Sequence, residues 1–175
     1  MTQKSLLLLF GISTLLTITT IVVYHLEPVI KLPESLFTKA RDVVYADPYL
    51  VLSELARNNA QNVLLVDMRS PQDYQARRLK NSQNIYFPYV TNRDEEKEFV
   101  KAVEKQSSLY KKIVLLPYSA FSTSGEDAAR ILLEAGFTNV FVLKAGWNEL
   151  YSLPNMWVPE EKVADNLLQK LIEED

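Results

Sequence analysis

The chain has 175 residues, of which 47% are apolar and 23% charged, with a net charge of −3. That length and apolar content suit one core-forming domain plus an appendage and exclude a disordered chain, and the charge balance leaves no basic excess for nucleic acid. There is no cysteine, and the single histidine is His25; this excludes disulfides, thiolate metal sites, a cysteine nucleophile and a Ser-His-Asp triad in the folded part.

Residues 5–24 read SLLLLFGISTLLTITTIVVY, with no charge and no proline. At 1.5 Å per helical residue such a run spans roughly 30 Å, the thickness of a bilayer core. The Ser and Thr hydroxyls can bond back to the preceding turn. An uncleaved transmembrane anchor over 1–24 is therefore expected. The rival is a cleaved signal peptide, but Val22-Val23-Tyr24-His25-Leu26 offers no small-x-small site. Lys4 before the run and Lys31, Lys39 and Arg41 after it nearly balance, leaning slightly towards a cytoplasmic C-terminal side. The short leading tail favours a single-pass protein with its domain on the extracytoplasmic, periplasmic side. Residues 25–42, with Pro28 and Pro33, read as a juxtamembrane linker with a short helix near 34–39.

From residue 43 the pattern alternates. Asp47-Pro48 supplies an N-cap and a first-turn proline, and Leu52, Leu55 and Ala56 stripe the helix that follows. Val63 to Val66 is a continuous apolar run, as a buried parallel strand requires. Ser70-Pro71-Gln72-Asp73 starts a second, short helix. Asn84 to Phe87 is expected as a brief strand, Arg93 to Lys105 as a helix with Phe99, Val100 and Val103 inward, and Ile113 to Leu116 as another strand. Glu126 to Ala135 reads as a helix stopped by Gly136, and Val140 to Leu143 as the last strand. Val163, Leu167 and Leu171, beside Ala164, Leu168 and Ile172, predict one amphipathic helix over 159–175, expected to pack on its own domain, with packing on a partner as the alternative. Strands alternating with helices imply a parallel sheet covered on both faces.

These residues resemble the rhodanese family over roughly 43–158. Leu64-Leu65-Val66-Asp67-Met68-Arg69 is similar to that family's strand ending in Asp-x-Arg. Asp73-Tyr74, Leu79 and Asn84-Ile85 match its next stretch, and Ile113 to Leu116 stands where the strand before the active loop stands. Glu134-Ala135-Gly136-Phe137-Thr138-Asn139-Val140 through Ala145-Gly146-Trp147 is similar to its ending. The resemblance implies an α/β fold: a rhodanese-like parallel sheet flanked by helices on both faces, preceded here by one transmembrane helix. It also implies an active loop of the form Cys-x-x-Gly-x-Arg, in which a persulfide forms on the cysteine. In this sequence Ser119 occupies the cysteine position and Ser124 the arginine position. A serine hydroxyl cannot form a persulfide, so neither sulfur transfer nor the cysteine phosphatase chemistry of this fold is open to the loop.

The candidate binding loop is Tyr118, Ser119, Ala120, Phe121, Ser122, Thr123 and Ser124. It reads as a capped, solvated loop, with Ser124 accepting from the N3 amide and Asp127 reaching back. A neutral or peptide-binding pocket with Phe121 as anchor is the alternative. An anion site is opposed by Glu126 and Asp127, two carboxylates at the helix end an anion would approach. A serine nucleophile would need a base, and Lys111, Lys112 and Lys144 flank the strands outside the loop. Asp67 and Arg69 are expected to be structural, pairing with each other or with a loop carbonyl. Arg77-Arg78-x-Lys80 is expected as a solvated turn rather than a contact for lipid headgroups or an acidic partner, and Asp94-Glu95-Glu96-x-Glu98 as an acidic helix start rather than a metal site. No cofactor or metal is expected. The reading is a membrane-anchored, catalytically inactive rhodanese-like domain that binds or scaffolds a protein partner. The alternative is a Cys-independent hydrolase or transferase using loop 118–125.

Overall fold

A computed structural model describes residues 42–57, 62–165 and 167–174. The expected membrane segment 5–24 and almost all of the linker lie outside these residues. Among the described residues no helix is long and apolar enough to cross a membrane.

Strand β1 (Val44–Ala46) leads into helix α1 (Pro48–Ala56), where the Asp47 side chain accepts from the Leu50 amide and Pro48 holds the first turn. Strand β2 (Val63–Asp67) is buried at every position. Helix α2 (Pro71–Ala76) is capped by Ser70, which accepts from the Asp73 amide. Two short strands follow, β3 (Arg77–Leu79) and β4 (Ser82–Asn84). Helix α3 (Arg93–Ser107) starts with a full capping box between Asn92 and Glu95. Then come β5 (Lys112–Leu116), α4 (Ser124–Glu134), β6 (Val140–Leu143) and α5 (Trp147–Ser152). Two 3-10 turns (Pro154–Met156 and Glu160–Asp165), helix α6 (Leu167–Leu171) and strand β7 (Ile172–Glu174) complete the described chain. Gly136 takes a φ of +100° just past α4, the left-handed conformation that lets a helix end and the chain turn into β6.

The main sheet runs β1-β6-β5-β2-β4, and every pair in it is parallel. Side chains alternate across a strand, and β2 shows the consequence. Val63 and Leu65 enter one core with Leu52, Leu55, Leu150 and Trp157. Leu64 and Val66 enter the other with Phe99, Val103, Ala129 and Leu132. Helices α1, α5 and α6 thus cover one face, and α3 and α4 the other. The registers Asp67↔Leu116 and Leu115↔Val142 bring the carboxyl ends of β2, β5 and β6 together. In open parallel sheets that end is where ligands bind.

The structure departs from expectation in three places. The strand predicted over Asn84 to Phe87 lies two residues earlier, at Ser82–Asn84, because β2 ends at Asp67 opposite Asn84. Beyond that point only single amide bonds continue, Ile85 to the Asp67 carbonyl and Phe87 to the Met68 carbonyl. The single helix predicted over 159–175 is instead a 3-10 turn, the five-residue α6 and the strand β7. Leu171 is buried in the core and Leu167, Leu168 and Ile172 pack against it, so these four residues cover their own domain. The basic cluster at Arg77-Arg78 is a strand rather than a solvated turn. It pairs antiparallel with β7, placing Arg77 2.7 Å from Glu174 and Arg78 3.4 Å from Glu173. These pairs are partly exposed and contribute at most about 1 kcal/mol each; they set the register of β7 more than they stabilise it.

Candidate functional site

Residues 117–123 connect β5 to α4 at the carboxyl end of the sheet. This is the place of the expected loop, and its backbone is held from below. The first amides of α5 donate to loop carbonyls, Trp147 to Pro117 at 2.9 Å and Asn148 to Tyr118 at 3.1 Å. Gly146 lies directly beneath Ser119: a Cβ built on it would stand 2.3 Å from the Ser119 Cα and 2.6 Å from the Ser119 nitrogen. Only glycine permits that approach. Gly146→Ala should therefore lift the loop and lower stability by about 1–3 kcal/mol, the usual cost of overpacking a tight site. Thermal denaturation of the variant beside wild type reads this; an unchanged midpoint would show that the loop yields freely.

Under the loop sits a carboxylate that sequence reasoning did not single out. Glu149 is only 4% exposed. Its Oε1 accepts from the Ser119 hydroxyl at 2.8 Å, and its Oε2 from the Ala120 amide at 2.8 Å and the Gly146 amide at 2.9 Å. Burial pushes its pKa up. The Ala120 amide, the Ser119 hydroxyl and the amides of Glu149 itself and Gly146 together outweigh burial and hold it below the ordinary carboxylate value. A loop whose amides face an anion thus finds one in its own chain. The signal was legible in part, since Gly146-Trp147-Asn148-Glu149 has the spacing of a helix start with Glu at N3. The second half of the arrangement, the reach up to Ala120, depends on how α5 docks.

The loop hydroxyls are likewise committed. Ser122 Oγ donates to Ser124 Oγ at 2.9 Å and accepts from the Ser124 amide at 3.1 Å, and Ser119 Oγ accepts from the Phe121 amide at 3.2 Å. The cap expected from Ser124 and Asp127 is not formed. Helix α4 begins at Ser124 itself, after Thr123, with no side-chain cap, and Ser124 is buried. Glu126 and Asp127 lie 3.4 and 3.5 Å from Arg130, which partly neutralises them. Glu126 also accepts from the Tyr45 hydroxyl; this bond and burial raise the Tyr45 pKa. The bar to a foreign anion therefore lies more in Glu149 than in these two carboxylates.

Ser119 is poorly placed as a nucleophile. Its proton points to a carboxylate held below its ordinary pKa, a weak base. Lys144 lines a cavity with Ala120 and Ser122, yet among the described residues it makes no hydrogen bond to a loop hydroxyl. Phe121 is 83% exposed at the tip, and Tyr118 is exposed beside it.

Asp67 and Arg69, also at this end of the sheet, are buried at 0% and 4% exposure. Arg69 donates through Nε and Nη2 to both Asp67 oxygens, with Nη2 to Oδ2 at 2.7 Å, and through Nη2 to the Arg77 carbonyl. Its guanidinium lies 3.6 Å from the Trp147 ring centroid. The pair thus ties the end of β2 to the first residue of α5, the helix that carries Glu149. Among the described residues no cluster of potential metal ligands occurs.

The family model for the rhodanese-like domain matches residues 51–153. No curated protein matches the chain. Among solved structures, a full-length protein from Lactobacillus plantarum is 18% identical, with 75% of this chain and 88% of that chain covered and a TM-score of 0.50. An As-Sb reductase from Leishmania major is 18% identical over 68% of this chain and 83% of its own, with a TM-score of 0.49. A rhodanese-like domain from Anabaena is 18% identical over 66% and 76%, with a TM-score of 0.47. At such identities the likeness concerns the fold alone.

Proposed function

The chain belongs to the rhodanese-like domain family, and from that premise we propose that it is a membrane-anchored binding or scaffolding domain that transfers no sulfur. A rhodanese needs a cysteine to carry the sulfur, and this chain has none. One observation supports a binding role over a substitute chemistry: the Glu149 carboxylate takes the Ser119 hydroxyl and the Ala120 and Gly146 amides. A site already holding its own anion has no room for an anionic substrate at those donors. What it offers outward is the apolar and aromatic surface around Phe121 and Tyr118, both exposed. Large exposed apolar groups at a loop tip suit contact with another protein. Anchoring through residues 5–24 rests on the apolar run described above.

Two measurements on the full chain in detergent test this reading. The protein should turn over thiosulfate and cyanide no faster than detergent buffer, and any excess overturns it. Phe121→Ala should change the unfolding free energy by no more than about 0.5 kcal/mol, because the ring is exposed. The same change should remove partners recovered by affinity capture from detergent extract. An unchanged partner set from a folded variant would exclude the loop tip as the contact.

A further inference from the structure

Beside the loop, a cavity of about 330 Å³ is lined by Arg69, Asp73, Tyr86, Tyr89, Tyr118 and Ser124, among others. The three tyrosines come from two separate segments, the stretch after β4 and the loop after β5. They are 49%, 68% and 41% exposed, which is unusual for side chains that large grouped at one opening. The two charged groups on the wall differ. Arg69 is locked onto Asp67 and stacked on Trp147, so its charge is already balanced. Asp73 accepts from the Ser70 hydroxyl at 2.6 Å and has no ion-pair partner among the described residues. The opening therefore joins electron-rich rings to one uncompensated carboxylate.

We infer that this cavity is a tyrosine cage for a cationic side chain, lysine or arginine, presented by a protein partner. The inference rests on the binding role proposed above and names the chemistry of the partner. Aromatic faces attract ammonium and guanidinium groups, and a neighbouring carboxylate adds a charge of the right sign. An anionic guest meets the Asp73 carboxylate and finds no free cation on the wall. Tyr89 senses this grouping: burial raises its phenol pKa, and Tyr118, Tyr86 and Asp73 add to the rise.

The test uses the full chain in detergent, labelled with fluorotyrosine, and three blocked tripeptides: Gly-Lys-Gly, Gly-Arg-Gly and the neutral Gly-norleucine-Gly. Saturable shifts of tyrosine resonances are expected for the lysine or arginine peptide, with the norleucine peptide at least about tenfold weaker. Asp73→Asn and Tyr89→Leu should each weaken cation binding about fivefold. Equal binding of charged and neutral peptides, or no saturable shift with either cation, overturns the cage. If partner capture still depends on Phe121 in that case, the binding role survives and only the cage fails. If cation binding is seen but capture is indifferent to Phe121, the loop-tip contact fails and the cage stands.

Discussion

Asp67→Ala should lower the stability of the domain by about 3–5 kcal/mol, because it leaves the Arg69 guanidinium buried without its carboxylate. The side chains are 2% and 0% exposed, and the contact is bidentate. Water cannot replace the lost partner at that depth, and the bond to the Arg77 carbonyl together with stacking on Trp147 leaves the cation no easy route out. Asp67→Ala combined with Arg69→Met removes both charges and keeps most of the volume, so it should recover most of the loss. Urea denaturation of the two variants beside wild type decides the matter. A double variant as unstable as the single one would mean that the site needs the geometry of the pair rather than charge balance.

Glu149→Ala should cost about 2–4 kcal/mol: it strands the buried Gly146 amide without an acceptor, at about 1–3 kcal/mol, and the loss of the bond to the more exposed Ala120 amide, which water can meet, adds about 1 kcal/mol. Its effect depends on pH with a definite sign. The folded state holds Glu149 below its ordinary value of 4.5, so the folded protein binds fewer protons there than the unfolded chain. The stabilisation is fully present above that value and is lost as pH falls through the lower folded-state pKa. Glu149→Gln keeps the shape and one acceptor oxygen but cannot ionise. The midpoint gap between wild type and Glu149→Gln should be constant from neutral pH to about 5 and should narrow in more acidic solution. A gap that widens on acidification would show that the carboxylate is held protonated.

Much of the architecture was readable in the chain. The runs at Val63 and Ile113 are apolar without interruption because both faces of the sheet are covered, and that continuity itself signals a buried parallel strand. Asp47-Pro48 and Ser70-Pro71 mark helix starts through bonds that close within three residues, so no distant part of the chain is needed to recognise them. The Ser124 and Asp127 cap did not form although local spacing allowed it: the helix begins one residue earlier than that cap requires, with Thr123 at its N-cap, and the Asp127 amide donates to the Thr123 carbonyl instead. The tail was misread for a different reason. Leu167, Leu168, Leu171 and Ile172 have helical spacing, yet β3 offers an unpaired strand edge with Arg77 and Arg78 facing Glu174 and Glu173. That edge comes from residues far back in the sequence, and its free backbone groups outbid the last helical turn.

By itself the sequence determined that this chain carries no sulfur on a cysteine, because a missing residue type needs no structure to be recognised. It also determined the fold class, because alternating strand and helix signals are local and numerous. Only the tertiary structure decided what the loop does with its donors. Ser119 and Glu149 are separated by 30 residues, and they meet because β5 and β6 lie side by side in the sheet and Gly146 lets α5 dock against the loop. The tyrosines beside the loop are likewise joined by sheet order, since β4 and β5 flank β2. Contacts of this kind arise from which strands are neighbours, and neighbourhood in a sheet is settled by the packing of the whole core rather than by any one segment.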